Sequence, residues 1–454
     1  MNDSARPAGA PQPLLGRADA IAIIVGIVIG AGIFKTPSMV AGVTGDVGWL
    51  VVAWLLGAVV SLAGALCYAE LATTYPHAGG DYHFLTRAWG RHASFLYAWA
   101  RATVINTGAI ALLAFVFGDY MQKVAPLGVA GGAVWGAAIV IALTAINIAG
   151  LKASAGTQKL LTVVEVLGLV AIGIAGFMAP AAASAAPAFS SSPPLGLFGL
   201  AMVFVLLTYG GWNEAAYISA ELRGGRRAIV SVIVWSLAII AAVYLVVNLA
   251  LLHGLGLKGL ADSKAAGADV MQLVFGTAGA QALALFVAIA ALTSINATMI
   301  VGARTNYAMG RDWTALRFMG GWHASRGTPV AAFVVQGAVA LALVAFGALQ
   351  HDGFEAMVEF TAPVFWGFLF LVGVALFILR AKDAGAERPF RVPLYPLTPI
   401  VFCAACAWLC YSSVTYAMSR NAVHVSLIVM AVGVVALLIT GAKRAPPRVT
   451  AGND

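Results

Sequence analysis

Twelve apolar runs, each close to or above the length that crosses a bilayer, dominate this 454-residue chain. A hydrocarbon core about 30 Å thick takes about 20 apolar residues per helix. The runs lie at 20–43, 48–74, 95–122, 130–149, 160–179, 197–219, 228–253, 270–304, 330–348, 354–380, 395–418 and 423–441. They are built mostly of Leu, Val, Ala, Ile and Phe without period-2 alternation, which argues against a β-barrel. Charged residues make up 10% of the chain, against about 25% in soluble domains. That is too little polar surface for a soluble fold, and 61% hydrophobic residues exclude disorder. The chain reads as an all-α polytopic membrane protein with one transmembrane helix per run.

Basic residues set the orientation, because Lys and Arg gather on the cytoplasmic side. With the N-terminus inside, 21 of the 26 Lys and Arg fall in cytoplasmic segments. Lys123, Lys258, Lys264 and Arg420 fall outside, and Lys35 lies within the first run. Both termini are thus expected in the cytoplasm, in a cell inner (plasma) membrane. The net charge of +8 faces anionic lipid headgroups rather than nucleic acid. The expected divisions are a tail at 1–18, a five-helix unit at 19–180, a second at 195–380, two further helices at 394–441 and a tail at 442–454. The first run acts as an uncleaved anchor. The stretch AAASAAPAFSSSPP before the sixth run reads as a flexible extracellular linker. The eighth run is long enough for its cytoplasmic end to extend beyond the bilayer.

Two runs carry glycine clusters where a spanning helix should be continuous. The first reads Ile29-Gly30-Ala31-Gly32-Ile33, and the sixth reads Leu207-Thr208-Tyr209-Gly210-Gly211-Trp212-Asn213. Clustered glycine lowers the cost of leaving helical geometry, and it also allows close helix packing. Broken backbone at membrane depth is tolerated only where it lines a cavity. Paired breaks in two halves of a chain point to a transporter's binding site. A dinucleotide fingerprint at Gly30-Ala31-Gly32 fails, because position 35 is Lys35 and no strand precedes it.

The segments GAGIFKTPSMVA and YAELATTYPHAGGDYHFLTRAWG resemble the amino acid–polyamine–organocation transporters. TYGGWNEAAYISAELRGGRR, YAMGRDW and RPFRVPLYPLTP extend the likeness over nearly the whole chain. It is most similar to the bacterial relatives of the L-type amino acid transporters. The resemblance implies the LeuT-type five-plus-five inverted repeat, with helices 1 and 6 broken and two peripheral helices added. It also implies substrate binding at both glycine clusters. Many L-type relatives carry an aromatic residue where this chain has Leu207, and bacterial relatives commonly carry a lysine where it has Glu165. Some animal relatives are disulfide-linked to a partner through a cysteine in the loop after helix 3. The loop GDYMQKVAPLGVAGG has none, so no covalent heavy-chain partner is expected.

The chemistry of a helix break suits a zwitterion. The half-helix that begins exposes N–H groups and a positive dipole end, and the half-helix that ends exposes carbonyls. An amino acid carboxylate fits the N–H groups of Ala31, Gly32 and Ile33. Its ammonium fits carbonyls near Ile29 and Leu207. Tyr209, Trp212 and Asn213, with Asn106 of the third run, are wall and gate candidates. Each of Tyr209, Trp212 and Asn106 has packing or helix–helix hydrogen bonding as its alternative.

Carboxylates within a bilayer are candidate functional groups by default. Glu165 reads either as a proton or cation coupling site, with Thr293 and Ser294 as helpers, or as half of a structural ion pair with Lys35 or a cytoplasmic arginine. Glu214 is placed to neutralise Lys35 or set pocket charge, and Glu359 is a second relay candidate. Glu70, Asp81 and Glu221 are expected in inner-gate salt bridges with Arg87, Arg91, Arg223 and Arg226. No cofactor or metal is expected, and a proton is favoured over sodium as the coupling ion. Cys67, Cys403, Cys406 and Cys410 read as packing residues.

An enzyme finds no support, since no GxSxG or HExxH motif occurs and the histidines lie in loops or near run ends. A receptor or sensor on the same fold is the alternative from a different class. The favoured function is secondary transport of neutral L-amino acids by proton coupling or exchange. The runner-up is transport of cationic amino acids or polyamines.

Overall fold

The computed structural model describes residues 16–77, 80–150, 155–182, 188–190, 192–212, 225–323, 326–418 and 422–440, with the side chains of 155–165 and 225–227 among those left out. The described residues are helical almost throughout, and their only β-feature is an isolated bridge between His323 and Thr328. Eight helices among them are long and apolar enough to cross a membrane, and three shorter apolar ones cover Val166–Met178, Leu195–Thr208 and His424–Ile439. The first run is not continuous. It consists of α1 (Arg17–Val28), a 3-10 turn at Ala31–Phe34 and α2 (Thr36–Thr44).

Helix α3 (Val47–Thr74) follows α2 after a left-handed Gly45, φ 59°. A short amphipathic α4 (Asp81–Trp89) lies between α3 and the third run. That third run is α5 (Arg91–Ala100), a π turn at Arg101–Ile105 and α6 (Asn106–Val124). Then come α7 (Gly131–Ile148), α8 (Ala155–Met178) and α9 (Leu195–Thr208). The α9 sequence LGLFGLAMVFVLLT is apolar on every face, which places such a helix in the interior. Phe198 to Leu206 are accordingly buried, and α9 packs against α2 and α3.

Two long elements follow, α10 (Gly225–Asp262) and α11 (Ala266–Asp312). Each contains a glycine in left-handed geometry, Gly256 at φ 68° and Gly276 at φ 67°. The eighth run divides at Gly276. Its first residues form a separate segment ahead of Gly276, and the remainder runs on to Asp312. The last four helices are α12 (Val330–Ala348), α13 (Gly353–Lys382), α14 (Leu397–Met418) and α15 (Ala422–Thr440). Helix α6 packs on α7, α11, α12 and α13. On α15, Leu427, Ile428, Val432, Leu438 and Ile439 are exposed, an apolar surface suited to lipid.

At 188–190 the linker is hydrogen-bonded to Asp46. Asp46 Oδ1 caps α3 by accepting from Gly48 N–H at 2.8 Å and Trp49 N–H at 3.2 Å. The same carboxylate accepts the Phe189 N–H at 3.0 Å, and its Oδ2 accepts the Ser190 N–H at 2.8 Å and hydroxyl at 3.0 Å. Burial alone would raise the Asp46 pKa, but these donors outweigh it and hold the carboxyl well below the usual range.

Candidate functional site

The first break is a backbone event. Helix α1 ends at Val28, and Ile29 (ψ 102°) and Gly30 (φ −132°, ψ −173°) are extended. The chain then re-enters a helical turn at Ala31 with no side-chain cap, so its leading N–H groups are offered forward. Neither glycine is demanded by backbone geometry, since both avoid positive φ. A Cβ on Gly30 would have Ser294 Oγ at 3.8 Å as its nearest neighbour, and one on Gly32 would meet Thr208 at 3.6–3.7 Å. At either position a methyl group would make ordinary van der Waals contact.

The second break lies beside the first. Helix α9 stops at Thr208, Tyr209 to Gly211 form a turn, and Gly211 has φ 103°. Here glycine is needed for conformation. Thr208 Oγ1 lies 2.6 Å from Thr36 Oγ1, which joins the end of α9 to the start of α2. Tyr244 of α10 ties the two breaks together. Its hydroxyl is 3.0 Å from the Val28 carbonyl and 3.1 Å from the Thr208 carbonyl. Trp54, Tyr209 and Tyr244 form an aromatic cluster with centroids 5.1–6.0 Å apart, and the Tyr209 hydroxyl donates to the Trp54 carbonyl at 3.1 Å.

Above Phe34 the site is closed by charge. Lys35 is fully buried, with its Nζ 2.8 Å from Asp119 and 3.7 Å from Asp352. Asp352 also caps α13 by accepting the Glu355 N–H at 3.0 Å. Tyr120 donates to the Phe34 carbonyl at 2.9 Å, and Lys123 pairs with Asp269 at 2.8 Å. A cavity of about 470 Å³ opens on this network, lined by Asp119, Lys123, Asp262, Lys264, Asp269 and Asp352 among others. An adjoining one of about 550 Å³ is lined by Gln350, His351, Asp352, Glu355, Ala356 and Glu359. Among the described residues no group of three His, Cys, Asp or Glu stands where it could hold a metal.

The structure thus sets two helix breaks side by side within a bundle of apolar spans. The family described as amino acid permease matches residues 15–437. The chain belongs to the amino acid permease family. Among its relatives is the serine/threonine exchanger SteT of Bacillus subtilis (strain 168), 28% identical over 390 residues, which are 85% of this chain and 88% of that one. The b(0,+)-type amino acid transporter 1 of Homo sapiens is 27% identical over 391 residues, 84% of this chain and 79% of that one. The mouse Asc-type amino acid transporter 1 is 27% identical over 407 residues, covering 87% and 75%. These relatives are transporters, not enzymes.

At the arginine-rich end of the permease, Glu70 finds partners other than those expected. Glu70 is buried and takes a two-pronged ion pair from Arg380, with Arg388 Nε at 3.6 Å and the Val392 N–H also donating to it. Arg87 pairs instead with Asp383 at 2.8 Å and lies over the Tyr75 ring at 4.6 Å. Asp81 accepts from the Tyr97 hydroxyl at 3.0 Å, and Arg91 lies 5.6 Å from the Trp313 ring centroid. The inner-gate pairing is thus corrected: the Glu70 partners come from the end of α13 and the loop beyond it. Glu221, Arg223 and the side chain of Arg226 lie outside the described residues.

The other candidates divide. Ile29, Gly30, Ala31, Gly32, Ile33, Leu207, Tyr209, Gly210 and Gly211 make up the two breaks, and Ser294 joins them beside Gly30. Trp212 packs instead against Tyr68 and Phe402, with centroids 5.3 and 5.7 Å away. Asn106 and Gln336 both stand against Gly302. Gly302 is eight residues along α11 from Ser294, or about 12 Å at 1.5 Å per residue, so Asn106 is not brought to the breaks. Thr293 bonds to the Ile289 carbonyl of its own helix at 2.9 Å. Glu359 is buried in α13. Asn213, Glu214 and the side chain of Glu165 lie outside the described residues. Tyr244, Trp54, Asp119 and Asp352 were not singled out from sequence. Tyr244 resembles any mid-helix tyrosine, and the two aspartates sit at helix ends where solvated acids are common.

Proposed function

We propose that this permease is a secondary active transporter of neutral L-amino acids, working by alternating access at the two facing breaks. The observation that carries the reading is the pairing of the two breaks, where the uncapped turn that starts at Ala31 lies against the Thr208 end of α9. A carboxylate there accepts from the Ala31, Gly32 and Ile33 N–H groups, while the ammonium meets helix-ending carbonyls. Main-chain groups then bind what all amino acids share. Leu207, Tyr209 and Ser294, with Tyr244 and Trp54 behind them, shape what surrounds the side chain. The reading includes 12 spans in a five-plus-five inverted repeat with two peripheral helices, both termini cytoplasmic, and no covalent partner. The Lys35 network then lies on the extracellular side and the Glu70 network on the cytoplasmic side.

A proton is the proposed coupling ion, carried by Glu359 at the cavity floor or by Glu165. One observation favours a second reading, transport of cationic amino acids. The outer cavities are lined by Asp119, Asp262, Asp269, Asp352, Glu355 and Glu359, against Lys123 and Lys264 in the lining and Lys35 and Lys258 paired to it, an acidic excess that draws cations inward. Uptake into proteoliposomes, competed by an amino acid panel with and without an imposed pH gradient, tests both. Competition by neutral amino acids is expected, and competition by lysine and arginine alone selects the second reading. Glu359→Gln and Glu165→Gln identify the coupling group, and proton-driven uptake unchanged in both removes these carboxylates from that role. Substrate binding without flux would make the chain a sensor.

A further inference from the structure

Asp46 does more than cap a helix. Its carboxylate is 1% exposed and holds two segments with one pair of oxygens. Two of its donors belong to the first turn of α3, and three belong to the strap at Phe189–Ser190. The strap leads into α9, which starts at Leu195, and Asp46 follows α2, which ends at Thr44. Phe189 is left-handed at φ 58° and stacks edge-on against Trp49 at 5.8 Å. Its ring occupies the space that the missing Cβ of Gly48 leaves, since a Cβ there would stand 2.8–2.9 Å from it.

Helices α2 and α9 are the half-helices that extend from the two breaks toward Asp46 and the strap. Near the breaks they are joined by the Thr36–Thr208 hydrogen bond. At the other end, about 15 Å along α2 at 1.5 Å per residue, they are joined through Asp46. Two separated fastenings stop one helix from tilting against the other. We propose that Asp46 is a positioning residue that clamps α2 and α9 into one rigid unit and so fixes the spacing of the two breaks. The clamp is charge-assisted at all five contacts, which makes its bonds shorter and stronger than neutral ones. This rests on the reading of the breaks as the substrate site.

Asp46→Ser separates the clamp from the cap, because serine serves as an N-cap but has no second oxygen to reach the strap. Gly48→Ala drives the Phe189 ring off without touching the carboxylate, and it carries the test if Asp46→Ser fails to fold. The full-length chain in nanodiscs is followed by amide hydrogen exchange, and in proteoliposomes by uptake of the amino acid that competes best in the panel. In both variants, exchange at Phe189 and Ser190 is expected to rise about tenfold or more. Exchange at 31–36 should rise with it, and KM should increase about fivefold or more with Vmax changed far less. A merely structural cap leaves Asp46→Ser at wild-type values. If the strap amides are released while exchange at 31–36 and KM stay unchanged, the clamp is refuted. It is equally refuted if the strap stays protected. A wild-type chain that moves no amino acid overturns the functional reading instead, and exchange at 31–36 still judges the clamp.

Discussion

Replacing Gly32 by alanine isolates the site from the scaffold. The added Cβ would meet Thr208 Oγ1 at 3.6 Å and Thr208 Cα and Cγ2 at 3.7 Å, which is ordinary van der Waals contact. Gly32 lies in a helical turn, where alanine is favoured over glycine by up to about 1 kcal/mol. The fold is therefore expected to be unchanged or slightly more stable. The substrate meets a different situation, because the methyl group narrows the gap between the turn and Thr208. A hydrogen bond to a charged group is worth about 1.5–3 kcal/mol. Losing one of those offered to the carboxylate corresponds to about a tenfold to hundredfold rise in KM. Gly32→Val, with two further methyl groups directed at Thr208, should abolish binding. Thermal unfolding of the purified protein and labelled uptake into proteoliposomes measure the two sides. Wild-type KM in Gly32→Ala would refute the carboxylate assignment. A lowered melting temperature would show instead that the space serves packing.

Two further outcomes are expected at the arginine-rich end. Glu70→Ala leaves Arg380 and the nearly buried Arg388 (7% side-chain exposure) without their shared carboxylate. Breaking a buried pair in this way costs about 3–5 kcal/mol, so the detergent-solubilised variant should unfold several degrees below wild type. An unchanged transition would show that the contact contributes nothing net. His83, stacked on His77 at 4.2 Å, has its pKa pushed down to about 4, chiefly by burial and then by His77 and Arg87. The folded protein therefore resists protonating His83, while the unfolded chain takes the proton near the ordinary value of about 6.5. The stability this group contributes is complete above that value and is lost as pH falls toward 4. Melting temperature should decline between pH 7 and 5, and His83→Gln should flatten that decline. An equal slope in the variant would assign it to other groups.

What the sequence reveals and what it hides follow from the range of the interaction involved. The breaks were legible because a helix is built from contacts within four residues, and clustered glycine weakens those locally. Even there the physical reason shifted: Gly211 is required by positive φ, whereas Gly30 and Gly32 are required by none and would each accept a methyl group in ordinary contact. Asp46 was legible in principle as an acid two residues before Gly48 at the start of an apolar run, which is an N-cap pattern. Its second role depends on a strap 143 residues away and has no local signature. The same holds for Lys35 with Asp119, 84 residues apart, and for Arg380 with Glu70, 310 apart. Glu70 had several arginines within sequence reach, and helix packing selected two that were not among them.

This difference in range matches a division of labour in the molecule. In the proposed reading, recognition at the breaks uses main-chain groups, which any residue supplies, so few side chains there need be of one chemical type. Closure at the two ends uses charged side chains whose partners come from other helices, so it is specified only by the assembled bundle. Substitutions at the breaks should therefore act mainly on KM, through the size of the space. Substitutions in the Lys35 and Glu70 networks should act on the balance between closed and open forms. Tyr244 stands where the two regimes meet, with one hydroxyl on both break carbonyls and its ring in the aromatic cluster behind them. Any movement of α10 relative to α1 and α9 must alter the hydrogen bond to Val28, the one to Thr208, or both.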